Sequence, residues 1–238
     1  MSLVTRVRVG TSGWNYTEWK GSFYPDDMKP AAMLPYYAAR FGTVEVNATF
    51  YRMPTPKVVA GWAAAAPADF AFVLKAPQRI THFARLRDVD ESVRLFCDVA
   101  RGLGARLGPL LFQLPPNFKK DLARLGDVLY MVPPELRMAW EFRHESWFAD
   151  DVYDRLRARN AALAIVEDED KTTPTLATAD WGYFRLRAVD YTDTRLEAWV
   201  KTIRSVGAGW RDAFVFFKHE DRGTGPALAQ RLETLLAT

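Results

Sequence analysis

The sequence predicts an α/β protein, a TIM-like (β/α)8 barrel forming one domain over residues 1–238. Two observations carry this expectation. Short runs rich in branched and aromatic residues alternate with segments of helical periodicity, and strict alternation of this kind argues for a parallel sheet flanked by helices. Eight such units at about 30 residues each fill a chain of this length, whereas an open doubly wound sheet would more often show fewer strands. Low-complexity tracts, charge blocks, linker composition and internal repeats are all absent, so nothing divides the chain.

In order, the first strand is "RVRVG" (6–10), followed by the loop "GTSGWNYTEWKGSFYP" (10–25) and a helix over 33–41. Strand "TVEVN" (43–47) leads to a helix over 57–66, and "FAFVLK" (70–75) to a helix over 91–107. The fourth and fifth units pair "PLLFQL" (109–114) with 121–132 and "MAWEF" (138–142) with 152–160. "LAIV" (163–166) is followed by the polar stretch 167–180, which lacks a convincing helix and is expected to be a long loop or a short helix. "GYFRL" (182–186) precedes a helix over 195–206, and "AFVFF" (213–217) a last helix over 225–237. Each helical assignment rests on apolar residues near three- and four-residue spacing.

Composition narrows the classes further. The chain is 49% hydrophobic and 26% charged, ordinary for a globular protein and unlike a disordered or fibrous one. A formal charge of +3 permits nucleic-acid binding but is far short of a strongly basic binder. One cysteine, Cys97, excludes a disulfide or multi-cysteine metal site within one chain and fits a reducing compartment. The start has no apolar stretch long enough for a signal peptide, and no apolar run reaches membrane-spanning length. A cytoplasmic protein with no membrane contact and no obligate protein partner is expected.

Strand alternation names the residues that face the barrel axis, because one parity meets the helices and the other points inward. Glu45 and Asn47, Gln113, Glu141 with Arg143, Arg185 and Lys75 all take the inward parity. Each comes late in its strand, at the end where barrel enzymes build their sites. Asp168 and His219 follow their strands closely and could join them. Inward charges can also pair purely as a buried network that fixes register. So many polar groups at one end of a barrel nevertheless cost stability that apolar packing would not.

The loops at the same end add rings and basic groups. In the first, Gly10 and Gly13 free the backbone, Ser12 and its neighbours could cradle an anionic oxygen, and Trp14, Tyr16, Trp19, Phe23 and Tyr24 could form an aromatic wall or lid, or a packed plug. "ATFYRMP" (48–54) supplies Phe50, Tyr51 and Arg52, "RITHFARL" (79–86) supplies His82, and "EFRHESW" (141–147) supplies Arg143 and His144. Glu45, Glu141 and Asp168 could offer oxygen ligands to a divalent metal, but Lys75, Arg143 and Arg185 at the same mouth would repel it, so a metal cofactor is not favoured. HExxH, CxxC and GxSxG patterns are absent.

"GTSGWNYTEWKGSFYP", "TVEVNATFYRMP", "ITHFARL", "GPLLFQLPPNF", "EFRHESW" and "YFRLR" together resemble the signature blocks of the domain of unknown function 72 family, the YecE-like proteins, along nearly the whole chain. The resemblance implies a TIM-like barrel found in bacteria and archaea without an established activity. Barrels of similar shape include sugar isomerases and a zinc-dependent DNA-repair endonuclease, an analogy of fold that does not fix function. Glu45, Asn47, Gln113, Glu141, Arg143, His144 and Arg185 lie within matching blocks. Two places depart from the family pattern: Lys218 and His219 stand where relatives often carry an Asn pair, and Arg187 and Ala188 where many carry His-Gly.

The favoured expectation is an enzyme, a hydrolase or a lyase or isomerase, acting on a phosphorylated or other anionic substrate at the C-terminal mouth, with a nucleotide or nucleic acid among the candidates. Glu141, Glu45 and Lys75 are its catalytic candidates. Ser12, Trp14, Tyr16, Asn47, Tyr51, His82, Gln113, Arg143, His144, Arg185 and His219 are its binding candidates. The rival is a non-catalytic module binding nucleotides or single-stranded nucleic acid by stacking and phosphate contacts. A third reading is a scaffold whose mouth is only an ion-pair core.

Overall fold

The computed structural model describes residues 6–169 and 172–238. Residues 1–5, where the expectation about a leader falls, and 170 and 171 of the stretch after the sixth strand lie outside the described residues. All eight expected strands form: β1 (Arg6–Thr11), β2 (Thr43–Val46), β3 (Ala71–Lys75), β4 (Leu107–Gln113), β5 (Met138–Glu141), β6 (Ala162–Glu167), β7 (Gly182–Leu186) and β8 (Asp212–Phe217). They pair in parallel in the order β1-β8-β7-β6-β5-β4-β3-β2, so every strand lies beside its sequence neighbour, as in a TIM barrel.

The helices are α1 (Pro30–Ala38), α2 (Ala48–Tyr51), α3 (Pro56–Ala65), α4 (Asp90–Arg101), α5 (Leu122–Met131), α6 (Asp150–Ala158), α7 (Asp193–Val206) and α8 (Thr224–Ala237). Their starts are written in the sequence. Thr55, Asp121 and Thr192 accept hydrogen bonds from the backbone N–H of Val58, Arg124 and Arg195, each satisfying a donor that the first turn leaves free. α4 ends at Arg101, earlier than expected, because the backbone turns at Gly102 and Gly104, the latter at positive φ. Val93, Phe96, Cys97 and Ala100 form its buried stripe. Among the described residues no helix is long and apolar enough to cross a membrane.

Between β6 and β7 no helix forms among the described residues. Threonine hydroxyls string this segment along β6 instead: Val166 N donates to Thr173 Oγ1 (2.8 Å) and Leu163 N to Thr178 Oγ1 (2.7 Å). Side chains thereby satisfy backbone donors at the strand edge.

The ring is near-closed at β1 and β2, where a regular ladder gives way to a Ser12–Glu45 bridge and a Gly13 N–H to Glu45 C=O bond of 2.8 Å. The Tyr37 phenol spans the seam, accepting from Thr11 N (2.8 Å) and donating to Thr43 O (3.1 Å). Gly10 is required here, since a Cβ would lie 2.2 Å from the Thr43 carbonyl oxygen.

Inside the barrel, Ala71, Val73, Leu111, Ala139, Ala162, Ala164, Val166, Tyr183, Phe214 and Phe216 form an apolar cluster. Polar inward residues gather above it at the C-terminal end. A larger apolar layer between strands and helices holds the rest of the core.

Candidate functional site

The last inward residues of β2, β5 and β7 meet on the axis. Arg185 donates from Nη2 to Glu45 Oε1 (2.8 Å) and from Nη1 to Glu141 Oε2, so one guanidinium joins two carboxylates that are all but inaccessible to solvent. Glu45 also accepts from Ser12 Oγ (2.7 Å) and the Tyr183 phenol (2.6 Å), and Glu141 from Gln113 Nε2 (2.7 Å) and Arg143 Nε (2.9 Å). Burial pushes both carboxyls up, but Arg185 and the converging donors overcome it and hold both below the ordinary carboxylate range. For Arg185 burial favours the neutral form, and the two carboxylates outweigh it and lock the charge in place. Ser12, Glu45, Gln113, Glu141, Arg143 and Arg185 are thus one network.

Lys75, at the end of β3, is left over. It is 9% exposed, and among the described residues its Nζ has neither a hydrogen-bond nor an ion-pair partner. The ammonium sits 4.0 Å from the centroid of the Phe50 ring. Burial and the nearby Arg185 depress its pKa to about 8, against the opposite pull of Glu45 and Glu141. His82, on a π-helical turn over Arg79–Phe83, stands edge-on to the same Phe50 ring at 4.9 Å and accepts or donates at Nδ1 with Thr81 Oγ1 (2.9 Å). Burial, then the charges of Lys75 and Arg143, lower its pKa to about 4, so the ring is neutral at physiological pH. Thr49 ties β2 to β3 beneath this group by donating to the Lys75 carbonyl (2.6 Å).

The remaining candidates are dispersed. Asn47 is half-buried with Oδ1 unpartnered among the described residues, at the rim beside α2. Tyr51 is 73% exposed. His144 points into its own turn, where Nδ1 accepts from Ser146 N (3.1 Å), and His219 donates from Nε2 to Ala188 O (2.7 Å). Trp14 packs edge-on to Trp62, and Tyr16 donates to the Ser12 carbonyl (2.7 Å). The aromatic wall gives way to a plug: Trp19 and Tyr24 are buried, and Phe23 lies against Tyr24, Tyr36, Tyr37 and Phe41 in the layer beneath α1. The loop spends its rings on packing because it must close the seam between β1 and β2.

The carboxylate trio considered for a metal does not converge. Arg185 lies between Glu45 and Glu141, and Asp168 is taken by Arg187 Nη2 at 2.6 Å. Among the described residues, no group of three or more His, Cys, Asp and Glu side chains could hold a metal ion.

A family described as "Protein of unknown function DUF72" matches residues 8–238. The chain belongs to the DUF72 family. It is 33% identical over 144 residues to the UPF0759 protein YecE of Escherichia coli K12, a match covering 60% of this chain and 50% of that protein. The chain therefore spans about half the length of that relative. It is 24% identical over 235 residues to the UPF0759 protein YunF of Bacillus subtilis, covering 91% of this chain and 79% of YunF. Its structure is similar to that of the DUF72 family protein TM1631 of Thermotoga maritima, with a TM-score of 0.85 and 26% identity over 98% of this chain and 100% of that one. A second DUF72 structure, EF0366 of Enterococcus faecalis, gives a TM-score of 0.81 at 18% identity over 99% of each chain, a likeness of fold.

Two features of the DUF72 chain escaped the sequence reading. Tyr183 shares the inward parity of Arg185 two residues later, a signal that was present but masked by the ordinary look of an aromatic residue in a strand. Glu167 takes two bonds from Arg195 on Oε1 (3.1 and 2.8 Å) and one from Trp199 Nε1 on Oε2 (2.7 Å), pinning α7 to β6. The departing positions Arg187, Lys218 and His219 line a cleft of about 480 Å³ with Asp168 on the β7 and β8 side of the mouth.

Proposed function

We propose that the C-terminal mouth of this DUF72 barrel binds a small phosphorylated or otherwise anionic substrate and that Lys75 performs proton transfer on it. The carrying observation is the unmatched lysine. Glu45 and Glu141 are engaged by Arg185 and Arg143, so Lys75, a largely buried residue, carries a charge without a counter-ion among the described residues. A buried unpaired charge is costly, and an arriving anion removes that cost. Arg143, partly exposed at the rim, offers the remaining donors of its guanidinium to the same anion.

Of the three catalytic candidates, Lys75 rather than Glu45 or Glu141 takes the proton role in this reading. Glu45 and Glu141 are held ionised, which makes them weak bases and leaves them no proton to donate; their work is to fix Arg185. Lys75 titrates near working pH, where a general acid or base is most effective. Neutral His82, packed edge-on against the same Phe50 ring as Lys75, is the second group proposed for relaying a proton.

A nucleic-acid-binding reading has one observation in its favour: Tyr51, which follows Phe50 at the end of α2, and Phe83, at the end of the π-helical turn, are each 73% exposed and offer faces for stacking. Calorimetric titration of the protein with inorganic phosphate, a 5′-mononucleotide and a short single-stranded oligonucleotide separates the readings. The anion-site reading expects phosphate and mononucleotide to bind with 1:1 saturation and to lose at least about tenfold in affinity in Lys75→Met. Binding of the oligonucleotide alone, insensitive to Lys75→Met and abolished in a Tyr51→Ala, Phe83→Ala variant, would install the rival.

A further inference from the structure

The position of Lys75 admits more than anion binding. An amine that is to react with a carbonyl must be neutral part of the time, must not be held by a carboxylate, and must lie in an enclosed place that carbonyl-bearing molecules enter. Ion-paired surface amines fail the first two conditions. Lys75 ends a strand at the barrel mouth, it is almost enclosed, its Nζ is unpartnered among the described residues, the carboxylates that could neutralise it are held by Arg185 and Arg143, and its lowered pKa leaves it neutral part of the time. The Phe50 ring under Nζ supplies an apolar floor, and the neutral imidazole of His82 flanks that floor.

We infer that the substrate of this site carries an aldehyde or ketone as well as its anionic group, and that Lys75 Nζ condenses with that carbonyl to form an imine. This rests on the anion-binding reading for the phosphate half of the substrate only. In the step, the Nζ lone pair forms a bond to the carbonyl carbon while the C=O π pair goes to oxygen, which takes up a proton. The resulting carbinolamine loses that oxygen as water, carrying away both amine protons in the overall balance, and the N–C bond becomes double. Protonation of the imine nitrogen gives the iminium, which serves as an electron sink for breaking an adjacent C–H or C–C bond, so the reaction class is isomerase or lyase rather than hydrolase. His82 is placed to move the proton between Nζ, the carbonyl oxygen and solvent, as a positioning and relay group beside the ring that both residues touch.

The test uses the full chain with glyceraldehyde 3-phosphate or unphosphorylated glyceraldehyde as probe, each with sodium cyanoborohydride to reduce any imine to a stable secondary amine, followed by peptide mapping by mass spectrometry. Exposed Lys29 and Lys57 serve as internal references. At pH 7 Lys75 is expected to be modified faster than either by about tenfold or more, since its lowered pKa leaves part of it neutral. Its rate should level off above about pH 8. Preference of Lys75 for the phosphorylated probe supports both readings. Equal modification of Lys75 by both probes upholds the imine and sinks the anion site. Modification of Lys29 and Lys57 with Lys75 lagging behind them overturns the imine, whatever the phosphate titration gives.

Discussion

The two ends of the barrel are both ringed with arginines, and they use them differently. At the N-terminal end Arg137 clamps Asp212 with two bonds (2.7 and 3.0 Å) and covers Trp181 and Phe214, while Arg8 donates to the carbonyls of Gly42 and Asp69. These charges are partly solvated and their donors are met locally, an arrangement that closes the bottom of the barrel. At the C-terminal end Glu45, Arg185 and Glu141 are fully enclosed and paired with one another, with Arg185 Nε unpartnered among the described residues, and beside them the ammonium of Lys75, a residue only 9% exposed, has no counter-ion among the described residues. One end closes on solvated pairs, and the other holds an enclosed ion-pair network beside one ammonium without a counter-ion among the described residues.

The sharpest break of this comparison is at Arg185. Arg185→Met leaves two enclosed carboxylates without their shared cation and should cost about 3–5 kcal/mol in urea unfolding. A loss below about 1 kcal/mol would mean water reaches the network freely.

Acid should expose the same asymmetry. Glu45 and Glu141 have folded pKa values held below those of the unfolded chain, so their contribution is fully present above the ordinary carboxylate range and drains away as pH falls through the folded values. Stability measured from pH 6 to 2 should fall steeply below about pH 4.5, the unperturbed glutamate value. A triple variant with Glu45→Gln, Glu141→Gln and Arg185→Met should lose most of that slope.

The Lys75 charge costs stability where the carboxylates supply it, and its window lies in alkali. Its folded pKa of about 8 lies below that of an unfolded lysine, so its charge penalises folding at neutral pH and the penalty is relieved as pH rises from about 8 towards the ordinary lysine value. Lys75→Met is expected to raise stability at pH 7 by about 1–3 kcal/mol and to remove the alkaline rise. The smallest effect belongs to the N-terminal end, where Arg137→Met should cost about 1 kcal/mol or less because the pair with Asp212 is solvated. A loss there as large as at Arg185 would erase the difference between the ends.

Alternation along each strand is a local property, so the inward set Glu45, Lys75, Gln113, Glu141 and Arg185 was legible before any coordinates. Which charges pair is a property of ring closure. Arg185 and Glu45 are 140 residues apart and meet only because β7 and β2 share one axis. The proposal that Glu45 and Glu141 hold Arg185 rests on that closure: periodicity sees carboxylates at a mouth but not the donors that keep them ionised. The rings of the first loop were visible as a cluster, yet their direction depended on the irregular β1 and β2 seam that they fill. The threonine-strung segment after β6 was correctly non-helical in pattern, while its hydrogen bonds to Leu163 and Val166 needed the strand edge to be known.

The most direct test of the unmatched charge is the thermal midpoint of the parent and Lys75→Met at pH 7, each with and without inorganic phosphate. The account predicts a parent that gains stability from phosphate by mass action and a variant that starts higher and does not move. A variant that starts lower and shifts with phosphate as the parent does would contradict it.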